Sequence, residues 1–430
     1  MSDESSETVP RRTASSSGRR VNGLLVVIIA TAIAGALGYI IQAVAGFGLD
    51  PAEYATFGIF WAALYLIVGG VSGIQQEVSR ASHPPEASAI PDRRTNLFAF
   101  AITYGLIILV VVWGSSPLWA VPVFGTDALS NVFAIGIGAA SYAFLATVCG
   151  VLYGRRAWIP LAIATILDPA LRLVLLSIAL GLEADQIWID LAIVLPIPLT
   201  VAASAVLAKK FLPERARVDV PLTTLLGNSA KTIVGATATA VLVSGLPLFV
   251  GASAASEDAA EVGALIFNIT ITRAPLVIPF LALQSYLIVY FRESRRRAAR
   301  ALTRILLGVL GLTALASLLA GLFAPAVIGA LFGPGYELSG LTVAALVASA
   351  GLTGALCVTG PAAIARSGHL AFLAGWVVAA LTLIAVLFTP FDLVTRTIAA
   401  LALAPTLGLI VHLGYLVATR LRRGDVAAGS

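Results

Sequence analysis

The sequence predicts an all-α polytopic membrane protein with about 12 transmembrane helices in two parallel six-helix lobes around a central cavity. Of the 430 residues, 59% are hydrophobic and 11% are charged, and the mean hydropathy is +0.97. An ordinary soluble domain is about 25% charged, and a soluble chain of this length buries only about three quarters of its surface. The excess of apolar residues therefore favours a bilayer as the surroundings of this chain.

Long apolar segments follow one another from Val21 almost to the end of the chain. Each can cross the hydrocarbon core, which takes about 20 predominantly apolar residues in a helix. The Ser-rich, Arg-containing residues 1–20 are predicted to form a disordered cytoplasmic tail rather than a cleavable signal, because the apolar run that follows is too long. The predicted spans are 21–47, 53–76, 96–115, 129–153, 157–182, 187–208, 222–250, 262–290, 301–323, 339–364, 370–389 and 394–418.

Basic residues alternate with these segments in a way that predicts the orientation. With the amino terminus inside, and with Arg304 at the start of the ninth span counted as cytoplasmic, 23 of the 27 lysines and arginines fall on that side. Only Arg396 falls outside, and three lie deeper within spans. Cytoplasmic loops are enriched in Lys and Arg in this manner, so we expect a multi-pass protein of the cell (inner or plasma) membrane with both termini cytoplasmic. The basic clusters also account for the net charge of +5. They predict contacts with membrane lipids and no nucleic-acid partner.

A faint internal repeat predicts how the helices are grouped. Asp50-Pro51-Ala52-Glu53 opens the second span and Asp258-Ala259-Ala260-Glu261 opens the eighth, at an offset of 208 residues that Gln76 and Gln284 share. Six spans separate the copies, so both copies have the same orientation in the membrane, as in transporters built from parallel repeats. We therefore predict an N-terminal lobe at 21–212, a C-terminal lobe at 213–419 and a cytoplasmic tail at 420–430.

The scarce reactive residues predict no cofactor and no metal site. Cys149 and Cys357 lie in apolar segments, and the three histidines are scattered. They form neither a disulfide framework nor a metal-ligand spacing. The outer loops are short and lack histidine, which disfavours acid–base chemistry. We therefore expect no enzyme, in preference to an integral glycosyltransferase, ligase or polymerase.

Two short segments resemble loops of a known family. The segment 47–57, Phe-Gly-Leu-Asp-Pro-Ala-Glu-Tyr-Ala-Thr-Phe, resembles the first outer loop of the polysaccharide-exporter branch of the MOP flippase superfamily, which includes the Wzx-type flippases. The segment 331–339, Leu-Phe-Gly-Pro-Gly-Tyr-Glu-Leu-Ser, resembles the loop before the tenth helix of that family. The chain departs from the family at Ala55, where Gly is usual, and at the polar Gln75-Gln76-Glu77. The resemblance implies a transporter of lipid-linked oligosaccharides.

Arg273 and Lys231 are the first candidate binding residues, because ionisable groups at membrane depth are costly and normally face a cavity or a partner. Arg273 lies about twelve residues into the eighth span, on one helical face with Thr270 and Gln284 and just before two prolines. It either binds an anion such as phosphate or pairs with carbonyls that the prolines free. Lys231, in the seventh span, either faces the cavity or extends to the inner headgroups.

Asp168 and Arg172 form a second candidate site in the fifth span. Their spacing of four residues permits a salt bridge on one helical face. The pair either titrates during transport or is a self-neutralised structural pair. Three glutamines complete the candidate substrate-binding residues, and the neighbouring Glu77 is expected at the membrane interface; these glutamines are Gln42, Gln76 and Gln284.

These residues lead to two main functional hypotheses. The first is a flippase that carries a polyprenyl-diphosphate-linked oligosaccharide or polysaccharide precursor to the outer leaflet by alternating access, with Arg273 and either Lys231 or Arg172 holding the diphosphate. Its partners would be the polyprenyl-linked glycan and a glycan polymerase or glycosyltransferases of the same pathway. The second is a MATE-like exporter of small molecules, for which the spans contain few carboxylates. A non-transporting membrane scaffold is a further alternative, since a fold does not fix its function.

Overall fold

A computed structural model describes residues 17–82, 95–211, 217–218, 220–293 and 298–428, and these residues are almost entirely helical. The helices are α1 (Ser17–Gly48), α2 (Pro51–Val71), α3 (Gly73–Ala81), α4 (Leu97–Phe124), α5 (Ala128–Gly154), α6 (Trp158–Gly181), α7 (Gln186–Val194), α8 (Pro196–Ala208), α9 (Leu222–Val243), α10 (Leu246–Ser253), α11 (Ala259–Glu293), α12 (Ala298–Phe332), α13 (Gly340–Ile364), α14 (His369–Leu387) and α15 (Leu393–Ala428). One two-stranded antiparallel ladder, β1 (Thr95–Asn96) with β2 (Arg217–Val218), and 3₁₀ turns at Gly125–Asp127 and Pro334–Tyr336 complete these elements.

The described helices supply twelve apolar segments that can cross a membrane, in agreement with the predicted count. Ten of them are continuous enough to span the bilayer without a sharp bend. The other two are bent: α9 and α10 meet at 64°, and α11 bends by 49° between Arg273 and Pro275. Counting each bent pair as one span gives twelve.

Several helix ends differ from the prediction. Helix α4, the third predicted span, continues to Phe124 rather than 115, and α12, the ninth, continues to Phe332 rather than 323. Proline marks these extensions without ending the helix, at Pro117, Pro122 and Pro325. Membrane helices tolerate proline because neighbouring groups satisfy the freed carbonyls, so proline is a weaker stop signal here than in a soluble domain.

The predicted tails are partly helical. Helix α1 begins at Ser17 instead of 21, and α15 extends to Ala428 instead of ending at 418. A helix satisfies its own backbone wherever it runs, so it can continue past the apolar segment into polar sequence. Residues 1–16 and 429–430 lie outside the described part of the chain. The predicted lobe boundary at 212/213 also lies outside it and stays a prediction.

The helices pack as two groups that meet along a seam. In the first group α1 packs on α6, α4 on α5, and α5 and α6 on α8. In the second group α12 packs on α13, α14 on α15, and α13 on α11 and α15. The groups meet mainly where α2 contacts α9 and α11 and where α3 contacts α9. Helix α2 and the first part of α11 carry the repeated Asp/Glu segment, so the two copies of the repeat face each other across this seam.

The seam is tightest where α2 and α11 begin. A methyl group added at Gly263 of α11 would overlap the carbonyl oxygen of Pro51 and come within 2.6 Å of its carbonyl carbon. It would also lie 3.1 Å from the backbone nitrogen of Ala55. Because these neighbours are backbone atoms, a side chain at Gly263 cannot be accommodated by a change of rotamer. The close approach therefore requires glycine at this position.

We expect Gly263→Ala to destabilise the protein by separating α2 from α11. Overpacking of this kind costs about 1–3 kcal/mol, and sometimes more. Gly308→Ala is the matched control, because a methyl group at Gly308 meets no atom within 4 Å and alanine favours a helix by about 1 kcal/mol over glycine. Thermal unfolding in detergent should show a lower midpoint for Gly263→Ala and an equal or higher midpoint for Gly308→Ala. Equal midpoints for the two variants would contradict the close contact.

Candidate functional site

A cavity of about 300 Å³ lies on the seam between the two groups of helices. Its walls come from α1, α2, the junction of α9 with α10, and the bend of α11. Most of the lining is apolar, with five polar side chains among the lining residues: Tyr39, Gln42, Ser244, Thr270 and Arg273. A concave, mainly apolar space with a few convergent polar groups is the usual form of a ligand site.

The two bent spans meet at this cavity, and a proline lies next to each bend. Pro275 has no N–H to donate to Ile271 four residues earlier, and the hydroxyl of Tyr39 on α1 donates to that carbonyl at 3.1 Å instead. Pro247 lies in the first turn of α10, where its missing N–H would have had no partner in the helix. Irregular backbone at membrane depth is tolerated only when it is buried in protein or lines a cavity. The position of both bends at this cavity therefore indicates that the cavity is a specific feature of the fold.

Arg273 is the charged side chain of this cavity. It is 7% exposed, and its Nη2 donates to the hydroxyl of Thr353 on α13 at 3.2 Å. Its Nε is buried and has no hydrogen-bond partner. Among the described residues that line the cavity, none is acidic. The site therefore combines a desolvated positive charge with a hydrogen-bond donor that has no partner in the described part of the protein.

Asp168 and Arg172 form the predicted salt bridge. Nη1 and Nη2 of Arg172 each donate to one carboxylate oxygen of Asp168 at 2.9 Å, which makes the pair bidentate. Arg172 is 1% exposed; it also donates to the carbonyl of Ile193 at 2.9 Å and to the hydroxyl of Tyr65. Its guanidinium lies 5.6 Å from the ring centre of Trp61, which lines the cavity. The structure thus pairs Arg172 within the first group of helices, one side chain behind the cavity wall.

The remaining predicted residues are dispersed. Gln42 lines the cavity, is 5% exposed and accepts a hydrogen bond from the hydroxyl of Tyr54 at 2.8 Å. Gln284 lies further along α11, away from the cavity lining, and its Nε2 is buried without a partner. Lys231 on α9 and Gln76 on α3 are exposed. The structure therefore brings Arg273 and Gln42 together and leaves Gln76, Lys231 and Gln284 apart from them.

The end of the seam that the sequence predicts to be outer, here called the outer end, is closed by aromatic side chains. Tyr54 of α2 packs edge-on against Phe267 of α11 and against Tyr336, with ring centres 5.1 and 5.8 Å apart. Phe47 stacks on Phe332 at 4.2 Å. The hydroxyl of Tyr336 donates to the carbonyl of Leu49 at 2.9 Å. The two segments that resemble family loops, 47–57 and 331–339, are therefore in contact with each other.

The opposite end of the seam, here called the inner end, is closed by polar groups. Glu77 of α3 is 5% exposed and accepts from Asn228 of α9 at 3.0 Å and from Arg80 at 2.5 and 2.8 Å. The hydroxyl of Thr232 donates to the carbonyl of Gly73 at 2.8 Å. Tyr104 donates across the seam to the carbonyl of Leu226 at 2.7 Å. The cavity is consequently closed at both ends in this conformation.

Sequence reasoning missed three parts of the site. Tyr39 and Thr353 give no signal in the sequence, because their roles depend on contacts with residues 232 and 80 positions away. Glu77 was expected at the membrane interface, and the structure adds that it is buried between α3 and α9, a contact that the sequence did not indicate. The adjacent polar residues Gln76 and Glu77, at the end of an apolar span, were the sequence feature that could have indicated this buried contact. Within the described ranges, no three His, Cys, Asp or Glu side chains are grouped so that they could hold a metal ion.

Comparison with known sequences finds close relatives over nearly the whole chain. No family model matches. The uncharacterized protein Rv1510 of Mycobacterium tuberculosis strain H37Rv is 33% identical over 397 residues, which cover 90% of each chain. Rv3630 of the same strain is 33% identical over 400 residues, which cover 91% of each chain.

Comparison with solved structures identifies the fold. The lipid II flippase MurJ in an inward closed conformation superposes with a TM-score of 0.68 at 12% identity, covering 90% of this chain and 86% of MurJ. An inward-facing multidrug resistance MATE transporter of the MOP superfamily gives 0.64 at 15% identity, covering 91% and 99%. A MOP superfamily transporter from Pyrococcus furiosus, described by the reverse polarity of its binding pocket, gives 0.60 at 14% identity, covering 93% and 96%. The chain therefore belongs to the same family as Rv1510 and Rv3630, and it has the two-lobed, twelve-helix fold of MOP superfamily transporters.

Proposed function

We propose that this protein is a transporter that flips a lipid-linked oligosaccharide or polysaccharide precursor, carried on polyprenyl diphosphate, from the cytoplasmic to the outer leaflet of the cell membrane. The surroundings of Arg273 are the observation that carries this proposal. It is buried in the cavity on the seam, its Nε has no partner, and no acidic residue lines the cavity in the described part of the chain. A charge at a helix centre costs about 2.5–3.5 kcal/mol or more, and an anionic substrate would offset that cost.

A diphosphate suits the chemistry around Arg273. A guanidinium can donate two parallel hydrogen bonds to phosphate oxygens. Helix α10 begins at the cavity wall with Leu246 and Pro247, and the amino-terminal end of a helix carries a partial positive charge that attracts anions. Gln42 and Ser244 add neutral polar groups for sugar hydroxyls. The cavity of about 300 Å³ is at the small end of ligand sites, so we expect it to enclose the phosphates and to widen for the glycan.

The closed ends of the seam support an alternating-access cycle. Each closure joins the two groups of helices, by aromatic packing at the outer end and by the Glu77–Asn228 contact at the inner end. Breaking one closure at a time would expose the cavity to one side of the membrane, as in transporters whose halves rock about a fixed site. The glycan polymerase or glycosyltransferases of the same pathway would then be the functional partners.

A MATE-like exporter of small molecules is the second candidate, and the fold shared with MATE transporters favours it. Cationic drugs would need a carboxylate in the cavity, whereas Asp168 is held by both terminal nitrogens of Arg172. An exporter with this cavity should therefore carry an anion. In a non-transporting scaffold, no bound anion would offset the desolvation cost of Arg273.

We expect Arg273→Met to reduce flipping about tenfold to hundredfold while leaving stability equal or higher. A hydrogen bond to a charged group contributes about 1.5–3 kcal/mol, and each 1.4 kcal/mol is a factor of ten. Removing a buried charge that has no ionic partner also removes its desolvation cost, so the variant should fold at least as well. The measurement is flipping of a fluorescent polyprenyl-diphosphate oligosaccharide in proteoliposomes, together with thermal unfolding in detergent.

Arg172→Met is the matched control for Arg273→Met. It leaves the buried carboxylate of Asp168 without its partner, and breaking such a pair costs about 3–5 kcal/mol. We therefore expect this variant to be less stable, in contrast to Arg273→Met. A folded Arg273→Met protein that flips the lipid as fast as the parent would contradict the proposed site. Failure of the parent to flip it, with movement of a small anion instead, would favour the exporter.

We expect Asn228→Asp to open the inner end. The substitution puts a second carboxylate at the position of the amide that lies 3.0 Å from Glu77, and like charges at this distance repel each other. The readout is the rate at which a membrane-impermeant maleimide, added from the inner side, labels a cysteine introduced at the cavity residue Ser244. Cys149 and Cys357 are both buried and are replaced by alanine in the background. Labelling should rise severalfold.

The double variant Asn228→Asp with Glu77→Gln tests the cause of that opening. It restores one carboxylate facing one amide with their positions exchanged, so labelling should return toward the parent rate. If labelling stays high in the double variant, the effect of Asn228→Asp has another origin. If Asn228→Asp alone does not change labelling, Glu77 and Asn228 do not hold the inner end closed.

A further inference from the structure

A second, larger cavity of about 870 Å³ lies between the two groups of helices, separate from the cavity of Arg273. It is a groove whose walls are α2 and α4 on one side and α9, α10 and α14 on the other. Along α4 its lining runs from Tyr104 to Val123, which at 1.5 Å per residue is about 28 Å. The hydrocarbon core of a bilayer is about 30 Å thick. The groove thus runs through the depth of the hydrocarbon core.

The lining of this groove offers no free hydrogen-bonding side chain and carries no charge among the residues described. Tyr104 donates to the carbonyl of Leu226, and Thr237 donates to the carbonyl of Ile233. Trp119 donates from Nε1 to the hydroxyl of Ser115 at 3.1 Å, and that hydroxyl donates to the carbonyl of Val112. Every polar side chain of the lining is satisfied within the protein. An occupant of the groove must therefore be hydrocarbon.

The floor of the groove separates it from the cavity of Arg273. Helices α2 and α9 meet there so closely that a methyl group at Gly69 would lie 2.7 Å from Cβ of Ala240. A methyl group at Gly73 would lie 2.6 Å from the backbone nitrogen of Ile233. In this conformation the lipid chain of a substrate whose diphosphate binds Arg273 cannot reach the groove through this contact. The occupant of the groove in this conformation is therefore independent of the transported molecule.

The rim of the groove is open to the bilayer. Leu118 is 83% exposed, Val111 60% and Val234 59%, and all three line the groove. Exposed aliphatic side chains at membrane depth face lipid chains, so the groove is accessible from the side. We propose that it is a binding site for an acyl chain of a resident bilayer phospholipid. Because both groups of helices form its walls, the bound chain fills space that must change when the groups move.

Quenching of Trp119 by brominated lipid tests this proposal. The intact protein is reconstituted in phosphatidylcholine whose acyl chains are dibrominated near the carboxyl end, and its fluorescence is compared with that of the Trp119→Phe variant. We expect Trp119 to be quenched by the brominated chains. Ala252→Phe, which adds a ring inside the groove, should lower that quenching at least twofold. Ala314→Phe, on the exposed surface of α12, should leave it unchanged.

Three results would overturn the proposal. Equal quenching of the parent and of Trp119→Phe would mean that no brominated chain reaches the groove. Undiminished quenching in a folded Ala252→Phe protein would mean that the quenching chains lie outside it. An equal loss in Ala314→Phe would make the effect non-specific. If Ala252→Phe does not fold, the comparison of the parent with Trp119→Phe still decides whether a chain is bound.

Discussion

The constraint on which this structure depends is that every backbone amide and carbonyl inside a bilayer needs a hydrogen-bond partner. Ten spans cross without a sharp bend, and the two bent spans interrupt their helices at the same cavity. Tyr39 accommodates one break by donating to the carbonyl of Ile271. The bends in turn direct the side chains of Arg273 and Ser244 toward one cavity. The interrupted helices and part of the polar lining therefore lie at one cavity.

The two buried arginines show that depth in the membrane does not decide function by itself. Arg172 is the more buried, yet both of its terminal nitrogens bond to Asp168 and its Nε bonds to the carbonyl of Ile193. Arg273 has Thr353 as a neutral partner and a buried Nε with none. The first is neutralised locally, whereas the second retains both its charge and a free donor. Under the proposed function, a substrate would gain binding energy only from the second.

The sequence predicted what depends on composition and spacing, and missed what depends on long-range contacts. Segment hydropathy and the distribution of arginines predicted the twelve spans, and the spacing of four predicted the bond between Asp168 and Arg172. The sequence placed Arg273 near the bend of its helix, because Pro275 and Pro279 follow it. It did not predict the break between α9 and α10, because the single predicted span at 222–250 includes Ser244, Gly245 and Pro247. The contacts of Tyr39, Thr353 and Glu77 join positions far apart in the chain, and no local pattern specifies them.

The two ends of the seam differ in the free-energy cost of separating the side chains that close them. At the outer end, separation of Tyr54 from Phe267 and Tyr336 exposes aromatic surface, and each Å² of apolar surface costs about 25 cal/mol in water. At the inner end, opening separates the amide of Asn228 from the carboxylate of Glu77, which keeps its hydrogen bonds to Arg80. Water can replace the hydrogen bond that is lost. A typical hydrogen bond contributes only about 0.5–1.5 kcal/mol net for this reason. The Asn228 contact should therefore cost less to break than the aromatic contacts, and under the proposed function the inner end would open first to a substrate made on that side.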